Sequence, residues 1–288
     1  MTMNEISNAM RAKLLTAAVP YIKEYTNTYV VVKYGGNAMI DEEIKQSVMQ
    51  DLLLLSLVGV KVVLVHGGGP DINDTLGKMG IASQFKNGLR VTDEATMDVV
   101  QMVLAGRVNK SLVAHIASLG GKATGICGVD GAMIKVHQKS EDLGLVGTID
   151  SIDTGLIKAL VDNGYIPVVA SVGVDDNGTI YNINADTVAA YIAGALQAEC
   201  MVAMTNIDGV MLNKDDPTSL VPKLTEADTT KLVADGVIAG GMIPKVECCI
   251  EAIQKGVKKV FIINGEIPHA ILIELLTNEG LGTMFVKE

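Results

Sequence analysis

The stretch at residues 62–73, VVLVHGGGPDIN, runs from apolar residues through one histidine and three glycines to a Pro-Asp pair. The apolar run predicts a buried strand, and Pro70 suits the first turn of a following helix. A second stretch of this kind, YVVVKYGG at 29–36, also ends in glycines. Apolar strands that pass through glycine loops into helices are typical of parallel sheets in α/β proteins, so the two stretches predict that fold class.

The remainder of the chain repeats this alternation of strands and helices. Apolar periodicity predicts helices at 7–25 (divided at Pro20), 41–58, 71–80, 93–105, 107–119, 153–162, 184–199, 225–236, 240–256 and 268–277. Strand patterns occupy 29–36, 60–65, parts of 122–149, 165–171, 179–183, 200–210, 257–263 and the C-terminal 282–288. We therefore expect one open, mostly parallel sheet with helices on both faces and a soft boundary near 175–180.

Composition narrows the class of protein. The 288 residues are 49% hydrophobic and 19% charged, which is enough for a large core. A formal net charge of −10 without a basic stripe argues against nucleic-acid binding. The apolar runs are far shorter than the ~20 residues that span a bilayer, and the N-terminus has no signal-type apolar region, so no membrane association is expected. The four cysteines include no C-x-x-C spacing and the four histidines no metal-ligand spacing, which favours a reduced, cytoplasmic protein without a metal site.

Four glycine loops adjoin the predicted strands: KYGGNA (33–38), HGGGP (66–70), TNIDGV (205–210) and AGGMIPK (239–245). Each alone is explained by a tight turn, but together, with Lys33 and Lys245, they favour phosphate binding through backbone N–H groups. The P-loop, G-x-G-x-x-G and G-x-S-x-G patterns are absent from the sequence, which disfavours a P-loop enzyme, a dinucleotide-binding protein and a hydrolase. Asp186 is equally explained as a residue of a helix's first turn, and Asn182 and Asn184 alternate along an extended stretch, facing the same way.

Six strings in matching order carry a resemblance that covers residues 14–285: VVVKYGGNAM, VLVHGGGPDIN, KNGLRVTDE, YNINADTVA, TNIDGV and GGMIPKVE. They resemble the amino-acid kinase family, and within it the branch that phosphorylates the side-chain carboxylate of N-acetyl-L-glutamate in arginine biosynthesis. The resemblance implies a three-layer αβα sandwich and direct in-line phosphoryl transfer from ATP with Mg²⁺. It also implies three regions: 1–26, a kinked helix for oligomerisation and regulation; 27–178, an acetylglutamate-binding and dimerisation lobe; and 179–288, an ATP-binding lobe.

The resemblance also assigns residues. Lys33, Lys245 and Asp186 match the family's two transition-state lysines and the aspartate that orients them. Substrate contacts are implied for Gly68, Gly69, Arg90, Asn182 and Asn184. Nucleotide contacts are implied for Gly35, Gly36, Thr205, Asn206, Asp208, Gly209, Val210 and Met242. A carboxylate nucleophile is already ionised at neutral pH, so no general base is required, and charge neutralisation becomes the main catalytic demand.

The two ends of the chain imply regulation. Residues 7–25 resemble the mobile N-terminal helix through which arginine-inhibited members join three dimers into a hexamer. The string HAILIELLTNEGLGTMF at 269–285 resembles their inhibitor-site signature, which implies an arginine site near His269, Glu274, Gly280 and Gly282. An ordinary final helix and strand explain the same string.

Alternatives stay open at this point. A carbamate kinase, a glutamate 5-kinase or a uridylate kinase would share the fold, although the strings NGLRVT and YNINAD resemble those of the members that bind the acetylated substrate. A non-catalytic module that senses arginine or a nucleotide is a further possibility, which the presence of both lysines and Asp186 disfavours.

Overall fold

The computed structural model describes residues 7–39, 41–213, 216–278 and 280–288. The first six residues of the predicted N-terminal region 1–26 therefore lie outside the described residues. The helices are α1 Asn8–Ala17, α2 Val19–Tyr25, α3 Glu42–Leu57, α4 Gly69–Lys78, α5 Glu94–Gln101, α6 Asn109–Ser118, α7 Gly155–Asp162, α8 Ala185–Ala195, α9 Glu226–Ala234, α10 Ile243–Gln254 and α11 Ala270–Leu276. The strands are β1 Tyr29–Tyr34, β2 Lys61–His66, β3 Phe85–Lys86, β4 Leu89–Arg90, β5 Ala123–Cys127, β6 Ile134–Gln138, β7 Gly147–Ile152, β8 Ile166–Ala170, β9 Val172–Val174, β10 Ile180–Asn182, β11 Cys200–Thr205, β12 Lys223–Leu224, β13 Lys259–Asn264 and β14 Thr283–Val286.

The main sheet has the strand order β12-β14-β13-β11-β1-β2-β8-β5. Its neighbours are parallel except for β13 and β14, which run antiparallel. Strand β1 lies in the interior of this order, with Lys33 opposite Val65 of β2 and Ala203 of β11. The expected mostly parallel α/β sheet is confirmed, and the carboxyl ends of β1, β2 and β11 lie side by side, where open α/β sheets bind ligands.

The core lies on both faces of this sheet because successive side chains of a strand point to opposite sides. Val30 and Val32 of β1 pack in one apolar cluster, with residues of α3 to α6 and α11. Val31 packs in the other, with residues of α7, α8 and α10. Both faces are therefore covered, as the near-continuous apolar strands predict for a parallel sheet.

The expectation of one sheet was incomplete. Strands β10, β9, β6 and β7 form a separate four-stranded sheet, and β3 and β4 form a short hairpin. The residues 122–149 divide between the two larger sheets, since β5 is at the edge of the main sheet while β6 and β7 pair antiparallel in the second. Short strands interrupted by turn glycines carry too little pattern to reveal their partner strands.

Two helical regions also differ in detail. The predicted helices at 93–105 and 107–119 are joined, because a π-helical segment, Met102–Val108, links α5 directly to α6. Near the N-terminus, Pro20 occupies the first turn of α2, and the predicted division there is confirmed. Helix α1 buries none of its residues, and Leu14 and Leu15 are exposed. In the part of the chain that the structure describes, no helix combines the length and the apolar character that crossing a bilayer requires.

Candidate active site

Lys33 is held at the carboxyl end of β1, and 7% of the residue is exposed. Its Nζ lies 3.0 Å from Oδ1 of Asp186, which belongs to the first turn of α8. Burial alone would raise the pKa of Asp186, but the ammonium groups of Lys33 and Lys245 hold that pKa below its ordinary value. The structure thus brings together the three residues expected to be catalytic, with two cations around one carboxylate.

Asn184 explains why Asp186 is available for this pairing. The Oδ1 atom of Asn184 accepts hydrogen bonds from the backbone N–H groups of Asp186, at 2.8 Å, and Thr187, at 3.3 Å. Asn184 is therefore the N-cap of α8, and Asp186 lies in the first turn of that helix, as the sequence predicts. The cap uses only the oxygen of the Asn184 side chain, so the amide N–H groups of this cavity-lining residue remain available to a ligand.

The glycine loop after β2 carries the N-terminus of α4. Gly68 is the N-cap of that helix and Gly69 its first residue, followed by Pro70. The first N–H groups of a helix have no partner within the helix, and they lie at its positive end. Gly68 and Gly69 therefore present backbone donors at the carboxyl edge of the sheet, as the pattern of VVLVHGGGPDIN predicts.

A small cavity of about 170 Å³ adjoins these donors. Its walls include the expected substrate residues Gly68, Gly69, Arg90, Asn182 and Asn184, together with others such as Ser171 and Leu104. The guanidinium of Arg90 lies 4.7 Å from the ring centroid of Phe85 and donates to the Ser83 hydroxyl. Guanidinium forks match carboxylates, so this cavity combines backbone N–H donors with a side chain suited to an anionic acyl compound.

A larger cavity of about 440 Å³ lies beside the carboxyl end of β11. It brings together five of the expected nucleotide residues: Asn206, Asp208, Gly209, Val210 and Met242. Thr205 ends β11 next to this cavity, and its hydroxyl accepts from the N–H of Ile207. Gly35 and Gly36 are instead at the end of β1, where a Cβ on Gly35 would lie 3.4 Å from Lys33 Nζ. Gly35 thus adjoins Lys33 and Gly36 follows it, whereas five of the other six residues line the larger cavity and Thr205 lies beside it.

A third cavity, of about 600 Å³, lies between these two. Its walls include Asp186 and Lys245, as well as Asn184, which also lines the small cavity. On its other side it reaches Gly241, next to Met242 of the larger cavity. Asp186 and Lys245 thus line a cavity that adjoins the small cavity at Asn184 and the larger one at Gly241, an arrangement that suits transfer between two bound anions.

The residues expected at an arginine site form a separate group around α11. Glu274 accepts the backbone N–H of Leu281 at 2.7 Å, and burial raises the pKa of its carboxyl group. His269 precedes α11 in a left-handed conformation, with Nδ1 2.6 Å from Oδ1 of Asp51 in α3. Gly282 packs tightly, since a Cβ there would lie 1.9 Å from the carbonyl oxygen of Ile262. Glu274 thus contacts the turn at Gly280 and Leu281, whereas His269, at the start of the same helix, pairs with Asp51.

Several residues of these sites were not identified from the sequence. Asp51 is fully buried, and its one signal is an acidic residue within the apolar run of α3. Thr283 orders the nucleotide loop, since its hydroxyl accepts the N–H of Val210 at 2.8 Å. His66 was assigned no role for lack of metal-ligand spacing, yet it is fully buried directly before the glycine loop. Contacts between residues far apart in the chain leave no local pattern from which such roles follow.

Comparison with known proteins gives concordant results. A sequence model of the amino acid kinase family matches residues 28–264. The acetylglutamate kinase of Brachyspira hyodysenteriae is 52% identical over 288 residues, 99% of this chain and 100% of that protein. A structure of N-acetylglutamate synthase from Neisseria gonorrhoeae complexed with coenzyme A and N-acetyl-glutamate gives a TM-score of 0.84 at 26% identity, covering 96% of this chain but 63% of that one. Carbamate kinase from Giardia lamblia bound to AMP-PNP gives a TM-score of 0.67 at 18% identity, covering 92% of this chain and 100% of that one, a likeness of fold alone.

Proposed function

The chain belongs to the amino acid kinase family, and from that premise we propose that it transfers the γ-phosphoryl group of ATP to the side-chain carboxylate of N-acetyl-L-glutamate. It is a phosphotransferase with a carboxyl group as acceptor, and its product is N-acetyl-L-glutamyl 5-phosphate, an intermediate of arginine biosynthesis. Its acetylglutamate kinase relatives match it over nearly the full length at about half identity.

The observation that carries the mechanism is the Lys33–Asp186 pair, with Lys245 beside it, between the two ligand cavities. The acceptor carboxylate is already ionised, so the site needs to hold two anions in line and to neutralise the transferred group. Asp186 orients Lys33 and Lys245 toward that group. The N–H groups of Gly68 and Gly69 donate to the acceptor side, where Arg90 and Asn182 bind the acyl amino acid.

We assign the nucleotide to the cavity lined by Asn206, Asp208, Gly209, Val210 and Met242, with Thr205 behind it and the phosphates near Gly35 and Gly36. Mg²⁺ enters this scheme with ATP. Among the described residues, no three His, Cys, Asp or Glu side chains are grouped as a metal site, and Asp186 is engaged by lysine. Phosphate oxygens and water, the ligands that Mg²⁺ commonly keeps, supply the coordination, and the bound ion neutralises phosphate charge.

This assignment divides the chain by ligand. Residues 27–178 form most of the acetylglutamate side and 179–288 most of the ATP side, while Asn182 and Asn184 join the first and Gly35 and Gly36 the second. All four cysteines are free thiols, and together with the use of ATP this supports a reducing, cytoplasmic setting.

An ADP-release assay on the purified protein tests the function directly. With MgATP and N-acetyl-L-glutamate we expect kcat/KM to be about ten-thousandfold above that with glutamate or carbamate, because a site built to hydrogen-bond the acyl amide rejects compounds lacking it. Preferred turnover of carbamate or glutamate would assign the chain to another kinase of this fold. ATP binding without turnover of any acceptor would make it a sensing module.

We extend the proposal to regulation by L-arginine in a hexamer built from three dimers. Helix α1 supports this, since it leaves Met10, Leu14 and Leu15 exposed and is thereby suited to pack against a second copy. Helix α2 packs against α11, which carries Glu274, and Glu24 pairs with Lys259 of β13, so the N-terminal segment contacts elements next to the expected arginine site. Arginine bound there acts on the transfer centre through this contact, which meets the requirement of two coupled sites.

Deletion of residues 1–24 is the matching prediction. We expect the shortened protein to sediment as a dimer and to lose arginine inhibition, while its kcat without arginine stays within about twofold, because none of the described residues 7–24 lines the three cavities of the site. Analytical ultracentrifugation and the ADP-release assay measure both properties. A shortened protein that is still a hexamer and still inhibited would refute the assignment.

A further inference from the structure

His66 ends β2 directly before the three glycines, and none of its surface is exposed. Its ring makes two hydrogen bonds whose direction is fixed by the partners. Nδ1 lies 2.8 Å from the carbonyl oxygen of Gly67, which can only accept. Nε2 lies 3.1 Å from the amide Nδ2 of Asn109, which can only donate. The ring is therefore neutral with its proton on Nδ1.

Asn109 is placed for this role by the rest of its contacts. It is 1% exposed, and its amide nitrogen also donates to the carbonyl of Val168 at 2.8 Å, while Lys110 Nζ donates to its Oδ1 at 3.1 Å. These partners fix which end of the amide faces His66. Burial and the charge of Lys110 lower the pKa of His66 to about 4, although the bond to Gly67 opposes this, so the same tautomer persists at neutral pH.

The bond to Gly67 has a geometric consequence for the glycine loop. In a trans peptide the C=O and the following N–H point in opposite directions. If the carbonyl of Gly67 is held toward His66, the N–H of Gly68 points away from it, and Gly68 lines the small substrate cavity. The preceding peptide is held too, because the N–H of Gly67 donates to the carbonyl of Tyr34 at 3.2 Å.

The π-helical segment 102–108 completes the support from the other side. A Cβ at Gly68 would lie 2.7 Å from Cδ2 of Leu104 and 3.4 Å from Cγ2 of Val108, so both side chains pack closely on the loop. Asn109 follows that segment directly. π-Helical turns are often found at functional sites, and here one brings an apolar wall and a buried amide to the same loop.

We propose that the buried His66–Asn109 pair is a positioning device that holds the Gly67–Gly68 peptide with its N–H toward the transferred phosphoryl group. The proposal rests on the proposed function. Glycine has little preference between the two orientations of such a peptide, so without the bond from Nδ1 the plane can turn over. The carbonyl oxygen would then face the anion and repel it.

Two substitutions of His66 separate this role from simple packing. In His66→Asn the side-chain amide nitrogen reaches the position of Nδ1 and can still donate to Gly67, whereas in His66→Gln it reaches the position of Nε2 and cannot. We expect His66→Gln to lower kcat by about a hundredfold, the usual effect of a lost oxyanion donor, with the KM for ATP nearly unchanged. His66→Asn should retain kcat within about tenfold of the wild type, although both variants lose packing.

Equal kcat values for the two variants, compared at equal folded fraction by circular dichroism, would overturn the proposal. Should neither variant fold, ¹⁵N-histidine NMR of the wild-type protein decides the matter. A neutral His66 ring with its proton on Nδ1 between pH 6 and 8, well above its pKa of about 4, supports the proposal, and one with its proton on Nε2 overturns it. Absence of acetylglutamate-dependent ADP release by the wild type would instead count against the proposed function, since the NMR result does not depend on turnover.

Discussion

Replacement of Lys33 by arginine is expected to lower kcat by about a thousandfold while the KM for ATP changes little, because a fixed cation at the transferred group acts mainly in the transition state. The position of the charge is closely set, since 9% of the Lys33 side chain is exposed and its Nζ lies 3.0 Å from Asp186, so the larger planar guanidinium would displace it. Arginine keeps the charge, so the loss measures position and not net charge. Steady-state kinetics with ATP and N-acetyl-L-glutamate varied in turn provide the measurement.

Lys258→Arg is the matched control for this experiment. Lys258 also pairs with a carboxylate, Glu199, at 2.7 Å, but 67% of its side chain is exposed. An exposed ion pair contributes little, so we expect kinetics indistinguishable from the wild type. If the Lys33→Arg protein had the same kcat as this control, Lys33 would not belong to the transfer centre.

The second large effect is expected on stability, for Gly282→Ala. The new Cβ would lie 1.9 Å from the carbonyl oxygen and 2.9 Å from the carbonyl carbon of Ile262, both backbone atoms of the paired strand β13. Relief requires a shift of the β13–β14 ladder, where Ile262 faces Thr283. We expect the free energy of unfolding to fall by about 3 kcal/mol, at the upper end for overpacking. Urea unfolding followed by circular dichroism measures the change.

Gly280→Ala is the matched control for this loss of stability. At Gly280 the nearest atom to a new Cβ is Oε1 of Glu274, at 3.6 Å, an ordinary contact. We expect a change within about 0.5 kcal/mol. If the Gly282→Ala and Gly280→Ala proteins had the same free energy of unfolding, the close contact of position 282 with Ile262 would not be what excludes a side chain there.

Elements of the main sheet could be predicted where residues adjacent in the chain are enough to determine the structure. Strands β1 and β2 were identified because each is a near-continuous apolar run, buried on both sides. The cap of α9 is equally local, since Thr225 lies just before the helix and its hydroxyl accepts the N–H of Asp228. These strands and this cap depend on residues that are neighbours in the chain, so they could be predicted without knowledge of the tertiary structure.

The features that were missed depend on distant parts of the chain. The second sheet pairs β6 with β9, which are separated by more than thirty residues. The π-helical segment 102–108 was divided into two helices because a widened turn disturbs the apolar period by one residue. Of the site, the glycine loops, Lys33 and Lys245 were identified from their pattern, and the catalytic roles of the two lysines and Asp186 came from the resemblance. His66 and Asn109, 43 residues apart, become partners only in the folded chain.

The interior position of β1 limits how this enzyme can be divided or rebuilt. The ladder from β2 to β1 and on to β11 joins the acetylglutamate side to the ATP side without a linker. A cut at residue 178 would leave β1 with an unpaired edge and β11 with another, and such edges invite aggregation. The two sides are therefore not interchangeable modules. A change of acceptor specificity has to come from the loops at the strand ends, because the sheet cannot be divided between the two sides.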